Sequence, residues 1–262
     1  MNPAQRIAAS APIQAVLTLV LYSFYAAVIG LCLSPAAALA VWAHRTFILT
    51  PQLAGAAPSA GAVVLFSLLL AASLYVFFLT GVAVMSALVR AITAGIRPGR
   101  YAITTPTFLR WLIAGGIYSI AIRLVLPVIR LSFFCNLFYQ IVGCRMGRDV
   151  KLNTWVLADA YLLRLGDGVV VGGETEISCH LFEGNHLILD RVSIGEGTLV
   201  GARCCISPGV TIGSRCVIGL GSFLRRGRTI PDGSHITSVG GIDMREARLI
   251  EHRGPLHASR RS

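Results

Sequence analysis

The strongest constraint on the fold is a run of aliphatic residues that recur at every sixth position in the C-terminal part of the chain. Eight positions follow this period without a break: Ile194, Val200, Ile206, Ile212, Ile218, Leu224, Ile230 and Ile236. Glycine often follows the aliphatic residue, and the residue four places after it is mostly small. A period of six fits neither an α-helix nor a single amphipathic strand. It predicts short parallel strands on flat faces joined by tight turns, with the aliphatic side chains stacked inside.

The repeat loses its register at two places upstream of this run. One residue is extra between Ala158 and Leu165, and eleven residues separate Ile177 from Ile188 instead of six or twelve. We expect a loop over residues 179–186 to leave the coil at the second break. His180 stands at the start of that loop.

The repeat resembles the hexapeptide-repeat, left-handed parallel β-helix family of acyltransferases. The resemblance is carried by His180 in the loop, by Ile194-Gly195, and by the sequence PGVTIG over residues 208–213. It implies three hexapeptides in each triangular coil, so that Ile194, Ile212 and Ile230 stack in one column, and Val200, Ile218 and Ile236 in the next. It also implies a homotrimer and acetyl-CoA or another acyl-CoA as donor substrate, with no metal expected.

The resemblance assigns the catalytic base to a loop histidine. A neutral imidazole can take the proton of a hydroxyl or amine near pH 7, which is the step that attack on a thioester requires. His180 is the first candidate and His186 is the rival, with Glu183 or Asn185 expected to orient the imidazole. The same β-helix with a zinc ion would require three histidines on the metal, but His180 and His186 are six residues apart and the only other histidine in the repeats, His235, is near their end. Cys179 is next to His180, which suggests a Cys/His nucleophile pair. Adjacent residues in an extended chain point in opposite directions, however, so we do not expect these two side chains to meet.

The resemblance also places coenzyme A in a groove between neighbouring coils. By position, the small residues lining that groove are Gly201, Ala202, Gly219 and Ser222. Arg225, Arg226 or Arg228 would then meet the phosphates of the coenzyme, although three arginines so close together fit a solvated rim equally well.

The N-terminal half has the composition of a membrane protein. Residues 7–43 and 46–89 contain no charged residue, and each stretch exceeds the length of about 20 residues that crosses a bilayer. We predict two spanning helices, one within residues 14–41 and one within residues 61–89. Only Arg45 lies in the loop between them, whereas Arg90, Arg97, Arg100 and Arg110 follow the second span. Both termini, and the β-helix, are therefore expected on the cytoplasmic side of the inner membrane.

Residues 106–142 are apolar but are interrupted by Arg123 and Arg130, so we interpret them as helices lying on the membrane surface rather than as a third span. The predicted organisation is a membrane domain over residues 1–100, interfacial amphipathic helices over 101–142, a left-handed β-helix acyltransferase domain over 143–241 and a basic tail over 242–262. Residues 1–148 hold ten arginines and no carboxylate, and this basic excess within an apolar segment indicates anionic lipid as the partner rather than nucleic acid.

Two other functions remain open from the sequence. The layout also resembles the membrane-embedded terminal domains of nonribosomal peptide synthetases such as poly-lysine synthetase, which implies a peptide-bond-forming domain with a carrier protein or synthetase partner supplying the aminoacyl thioester. The second of these functions is that of a non-catalytic trimeric membrane scaffold, in which His180 would have no role.

Overall fold

The computed structural model describes residues 11–236, with side chains from residue 14 onward. Within these residues the chain forms two compact units. One contains the chain up to Ala94 together with residues Thr104–Ile129, and the other contains Gly95–Ile103 and the chain from Arg130 onward. The predicted C-terminal tail and residues 237–241 lie outside the described part.

The first unit is helical. Its elements are α1 (Ala11–His44), a π-helical turn (Arg45–Leu49), α2 (Thr50–Leu53), α3 (Ala60–Thr93), α4 (Pro106–Leu124) and α5 (Leu126–Ile129). The side chains of Ser59 and Thr105 accept hydrogen bonds from the backbone N–H groups of Ala62 and Phe108, which caps the starts of α3 and α4.

Among residues 11–236, three stretches of helix are long and apolar enough to cross a membrane: Gln14–Leu53, Ala60–Thr93 and Pro106–Leu124. The first two contain the two spans predicted from the sequence. The third is α4, which the sequence assigned to the membrane surface, and its length and composition alone also allow a crossing.

The second unit is a parallel β-helix with strands on three faces and about five coils. The first face consists of β2 (Arg145–Met146), β5 (Leu163–Leu165), β10 (Val192–Ile194), β13 (Thr211–Ile212) and β16 (Thr229–Ile230). The second consists of β3 (Lys151–Leu152), β6 (Val170–Val171), β11 (Leu199–Val200), β14 (Val217–Ile218) and β17 (His235–Ile236). The third consists of β4 (Val156–Ala158), β7 (Glu176–Ser178), β12 (Cys205–Ile206) and β15 (Phe223–Leu224). The helix α6 (Phe133–Val142) precedes the first coil.

The predicted columns of aliphatic residues are confirmed. Ile194 pairs with Ile212 and Ile212 with Ile230 on the first face, and Val200, Ile218 and Ile236 pair in the same way on the second. On the third face Ile206 lies between Ile177 and Leu224. All of these side chains are buried, so the three columns form a continuous core.

Close approach of the coils explains why glycine follows so many of the aliphatic residues. A Cβ atom on Gly195 would lie 2.5 Å from the carbonyl carbon of Gly213 and 2.5 Å from the amide nitrogen of Ser214 in the next coil. Any side chain at this corner would push the coils apart, so the position requires glycine for space rather than for a special backbone conformation.

Both register breaks have a structural cause. The extra residue between Ala158 and Leu165 is accommodated by a 3-10 turn over Ala160–Leu162. At the second break the predicted loop is a β-hairpin, with β8 (His180–Glu183) antiparallel to β9 (His186–Leu189). A third strand, β1 (Gly99–Ala102), comes from the connection between α3 and α4 and pairs antiparallel with β9.

Candidate active site

The two register breaks bring His180 and Asp159 together. His180 Nδ1 donates a hydrogen bond to Asp159 Oδ2 over 2.5 Å, and the side chains of these residues are 28% and 9% exposed. The carboxylate is thus nearly buried, while the imidazole retains an accessible edge. Because Nδ1 carries the proton toward Asp159, the lone pair of the neutral ring is on Nε2, which is the nitrogen that can act as a base.

The β-helix positions the pair by its register on the third face. Ala158 at the end of β4 lies opposite Ser178 at the end of β7, so the residues that follow each strand meet at the same corner. Asp159 turns sharply there with a φ of 55°, in the left-handed region that aspartate tolerates better than most residues. His180 opens the hairpin at the same corner one coil later, two residues after Ser178.

Neighbouring polar groups hold both members of the pair. Tyr161 donates its hydroxyl to Asp159 Oδ1 over 3.3 Å, which occupies the carboxylate oxygen that His180 does not use. The backbone N–H of His180 donates to Ser178 Oγ over 3.3 Å, and the Ser178 hydroxyl donates to the carbonyl oxygen of His180 over 2.9 Å. The imidazole is therefore fixed both through its ring and through its backbone.

Opposing effects set the protonation of the site. Burial by itself lowers the pKa of His180, but the hydrogen bond to Asp159 and the charges of Asp159 and Glu176 outweigh it and raise the pKa above its ordinary value. Burial and the Asp159 charge raise the pKa of Tyr161, so its hydroxyl stays protonated and remains a donor. The arrangement suits an imidazole that accepts a proton, because the buried carboxylate of Asp159 stabilises the positive charge that forms on the ring.

The other residues predicted for the catalytic loop lie along the hairpin. Glu183 pairs with Arg226, and His186 Nδ1 lies 3.4 Å from a guanidinium nitrogen of Arg100. Asn185 accepts a hydrogen bond from the N–H of Ile103 at its backbone carbonyl, over 3.2 Å. The carboxylate that accepts a hydrogen bond from His180 belongs to Asp159, whereas the carboxylate of Glu183 pairs with Arg226. Sequence reasoning missed Asp159, although the extra residue at the first register break marks its place.

The residues predicted for the coenzyme groove are small residues in the turns of the coils and arginines further along the chain. A Cβ atom on Gly201 would lie 2.7 Å from the amide nitrogen of Leu220, so close coil stacking already accounts for this glycine; Gly219 and Ala202 accompany it in the turns of successive coils. Ser222 is fully buried, and its hydroxyl donates to the carbonyl of Gly219 over 2.7 Å. Its side chain therefore does not line a surface groove as expected. Arg225 is exposed, and Arg226 is engaged with Glu183.

The cysteines of the β-helix do not have the environment of a nucleophile. Cys179 is buried beside the site, and burial raises the pKa of its thiol well above the ordinary value. Cys204 and Cys216 are buried in the small-residue position of the repeat, where their thiols donate to carbonyl oxygens of the next coil. Among residues 11–236, no three histidine, cysteine or acidic side chains are grouped closely enough to hold a metal ion.

Comparison with known proteins finds a family model that matches part of the repeat. Residues 191–226 match the family model described as the hexapeptide repeat of succinyl-transferase. The matched residues lie within the β-helix. Over 127 residues the chain is 30% identical to the delta-poly-L-ornithine synthetase of Acinetobacter baumannii, and this match covers 45% of the chain but only 9% of the synthetase.

Solved structures of hexapeptide-repeat proteins are similar only in outline. A hexapeptide-repeat-containing acetyltransferase of Vibrio cholerae, complexed with acetyl coenzyme A, has a TM-score of 0.36 and 21% identity over 39% of this chain and 59% of its own. The serine acetyltransferase of Neisseria gonorrhoeae has a TM-score of 0.31 and 17% identity over 84% of this chain and 91% of its own. TM-scores this low carry no weight for the function of the chain.

Proposed function

We propose that the protein is a membrane-anchored acyltransferase that moves an acyl group, with acetyl as the first candidate, from an acyl-CoA thioester to a hydroxyl or amine. The observation that carries this proposal is the pair formed by His180 and Asp159 at the base of the hairpin. The hexapeptide-repeat match and the apolar helices support it.

The proposed reaction uses Nε2 of His180, the ring nitrogen that does not face Asp159. His180 Nε2 removes the proton from the acceptor hydroxyl or amine as that atom attacks the thioester carbonyl carbon. The C–S bond then breaks, the acyl group stays on the acceptor, and the thiolate of CoA takes the proton back from the imidazolium. Asp159 acts as a positioning residue, since it fixes the ring and stabilises the positive charge formed during proton transfer.

Apolar side chains on the outside of the coils support assembly into a homotrimer. Leu199 and Val217 stand next to each other on the outer surface of the second face and are 45% and 37% exposed. Phe223 on the third face and Leu220 at the corner between these faces are more than half exposed. An outer surface of this kind is typical of a contact between protein chains. Light scattering on the detergent-solubilised protein should give the mass of three chains.

A peptide-bond-forming domain is the second candidate function, and the match to the poly-ornithine synthetase favours it. In that case a carrier-bound aminoacyl thioester would replace acyl-CoA as the donor, and the same His180 would deprotonate an amine. The two functions differ in the donor rather than in the base.

The test measures donor binding and transfer separately. Calorimetric titration of the detergent-purified protein with acetyl-CoA and with free CoA requires no knowledge of the acceptor, and we expect saturable binding. Thiol release is then followed with panels of hydroxyl and amine acceptors. His180→Gln should bind acetyl-CoA normally but lose about two to four orders of magnitude in transfer rate.

The matched variant His186→Gln decides between the two histidines, because it makes the same change on the same hairpin. Loss of transfer in that variant, with full activity in His180→Gln, would assign the base to His186. A folded protein that binds neither acetyl-CoA nor CoA would shift the donor to a carrier thioester. If His180→Gln and His186→Gln both kept full transfer, the proposed mechanism would be wrong.

A further inference from the structure

Four arginines surround a small cavity beside the candidate active site. The cavity has a volume of about 100 Å³, and Arg97, Arg145, Arg164 and Arg191 all contribute to its lining. The remaining lining residues are apolar apart from Tyr161, and none is acidic.

None of these four guanidinium groups is neutralised within the described part of the chain. The ion pairs of the β-helical unit use other arginines: Arg148 with Asp167, Arg203 with Glu174, and Arg226 with Glu183. Among residues 11–236, no side-chain hydrogen bond or ion pair engages the guanidinium of Arg97, Arg145, Arg164 or Arg191. Four positive charges around one cavity, without a counter-ion from residues 11–236, form a strongly anion-attracting site.

The fold holds two of these arginines next to each other. Arg145 in β2 and Arg164 in β5 are register partners on the outer surface of the first face, so their Cα atoms are about 4.8 Å apart. Like charges directly opposite on neighbouring strands destabilise a sheet. An anion bound between them would remove this repulsion.

The other two arginines come from different segments. Arg191 immediately precedes β10, the next strand of the same face. Arg97 comes from the connection after α3, and it is held at the β-helix because β1 begins two residues later and pairs with β9. Three coils and a separate segment thus supply one charge each to the same cavity.

Tyr161 links this cavity to the active site. Its side chain lines the cavity, while its hydroxyl donates to Asp159, which in turn holds His180. A group bound by the arginines would therefore lie one tyrosine ring and one carboxylate from the proposed base. Phosphate is the anion that best fits this arrangement, because each guanidinium can give it two parallel hydrogen bonds and its charge can be doubly negative.

We propose that Arg97, Arg145, Arg164 and Arg191 form a binding site for a phosphate group of the molecule that reacts at His180. The link to His180 rests on the proposed function, whereas phosphate binding itself does not. The phosphate group could belong to a membrane lipid acting as acceptor or to a soluble phosphate ester, CoA included. Arg97 follows the end of α3, at Thr93, by only four residues, which favours a lipid phosphate.

The test uses the full chain in a maltoside detergent, which contains no phosphate. Thermal unfolding is measured at constant ionic strength against four additives: glycerol 3-phosphate, coenzyme A, short-chain phosphatidic acid and short-chain phosphatidylcholine as mixed micelles. We expect saturable stabilisation by phosphatidic acid. The double variant Arg145→Gln/Arg164→Gln should weaken that binding at least tenfold, since it removes two charge-assisted contacts to the phosphate.

The matched control is Arg203→Gln/Arg215→Gln, which removes the same net charge elsewhere on the β-helix and should bind phosphatidic acid like the wild type. Without additive, the Arg145→Gln/Arg164→Gln variant should unfold at a temperature no lower than the wild type, because it relieves repulsion. Equal affinity of this variant and the wild type, or an equal loss in the control, would overturn the proposal.

The four additives also identify the source of the phosphate. Arginine-dependent binding of phosphatidic acid but not of glycerol 3-phosphate or CoA supports a lipid, and the reverse supports a soluble ester. Stabilisation by phosphatidylcholine equal to that by phosphatidic acid would contradict an arginine site.

His180→Gln separates this proposal from the catalytic one, because it should keep phosphate affinity while losing transfer. If the wild type showed arginine-dependent binding but transferred no acyl group to any acceptor, the proposed function would fail and the phosphate site would stand. Transfer that depends on His180 in a protein with no phosphate affinity would overturn the phosphate site and leave the proposed function standing.

Discussion

Asp159 offers the sharpest test of the proposed mechanism, through the substitution Asp159→Asn. The asparagine has nearly the same shape and can still accept the Nδ1 hydrogen bond, so it removes the negative charge with little change in packing. In the protein that charge lies 2.5 Å from His180 Nδ1 on a side chain that is only 9% exposed. A hydrogen bond to a charged group contributes about 1.5–3 kcal/mol, so transfer should slow by about 10- to 150-fold.

The pH dependence gives the substitution a signature that a purely structural role would not produce. His180 works as a base only when neutral, so activity should rise as pH increases through its pKa. Because the Asp159 hydrogen bond and charge raise that pKa, Asp159→Asn should lower it and move the rise to lower pH. The loss of activity should consequently be smaller in acid, where wild-type His180 is largely protonated.

The pKa can be measured without knowing the acceptor. Diethyl pyrocarbonate reacts with neutral imidazole, and mass spectrometry of the peptide that contains His180 reports its modification rate as a function of pH. The midpoint should be lower in Asp159→Asn than in the wild type, and unchanged in Asp167→Asn, whose carboxylate pairs with Arg148 instead. Identical midpoints and identical transfer rates in Asp159→Asn and the wild type would refute the role assigned to Asp159.

Three further predictions concern stability. Ile212→Asp should destabilise the β-helix by about 3–5 kcal/mol because it buries an unpaired carboxylate, whereas Thr211→Asp on the exposed side of the same strand should have little effect in chemical unfolding. Gly195→Ala should lower the free energy of unfolding by about 1–3 kcal/mol, because its Cβ would meet backbone atoms at 2.5 Å. Gly173→Ala should be nearly neutral, because the closest contact of its Cβ is a side-chain nitrogen at 3.4 Å. Equal melting temperatures of these two variants would contradict the stacking argument. The pKa of His180 is raised in the folded state, so protonation of this histidine stabilises the fold. The stability advantage of the wild type over His180→Gln should therefore be complete below about pH 6.5, the ordinary pKa of histidine. It should disappear as pH rises through the raised pKa of the folded protein.

The sequence predicted the β-helix well because its core has a local rule. One aliphatic residue per strand, repeated at a fixed interval, determines which side chains stack, and the pairing of Ile194 with Ile212 and Ile230 follows from counting. The same counting located both breaks in register. It could not show what fills a break, because a 3-10 turn and a hairpin depend on contacts that the repeat does not encode.

Only half of the candidate site could be predicted from the sequence, because the contacts within it are not encoded by the repeat. His180 stands in the longer break, but its partner Asp159 is 21 residues earlier and becomes a neighbour only through the pairing of β4 with β7. Strand β1 is a second case, since four residues from the connection between two apolar helices join a hairpin almost ninety residues later. Gly201 shows that one repeat position can have two explanations, because a glycine that suggested a coenzyme groove is also required by the approach of Leu220 in the next coil.

The packing of α4 against α3 leads to a prediction about membrane topology. Near its start, α4 is fixed at the end of α3, where Arg110 donates to the carbonyl oxygens of Ile92 and Ala94 over 2.9 and 2.5 Å. At its other end Val125 reaches Gly81, where a Cβ atom would lie 2.9 Å from Val125 Cγ2. The helix α4 therefore follows only the last 20 Å or so of α3, at about 1.5 Å per residue.

The remaining part of α3, from Ala60 to Gly81, is about 30 Å long and extends past the end of α4. This length equals the thickness of the hydrocarbon core of a bilayer. If α4 crossed toward the side where α3 begins, its end would therefore lie about one membrane thickness short of that side. We therefore predict that α1 and α3 span the membrane, that α4 does not, and that the β-helix lies on the same side as the N-terminus. Reporter fusions at Gly55, after Gly95 and after Ser262 should place the first on one side of the membrane and the other two on the opposite side. A Ser262 fusion on the side of Gly55 would mean that α4 crosses and that the basic residues after α3 do not determine the location of the β-helix.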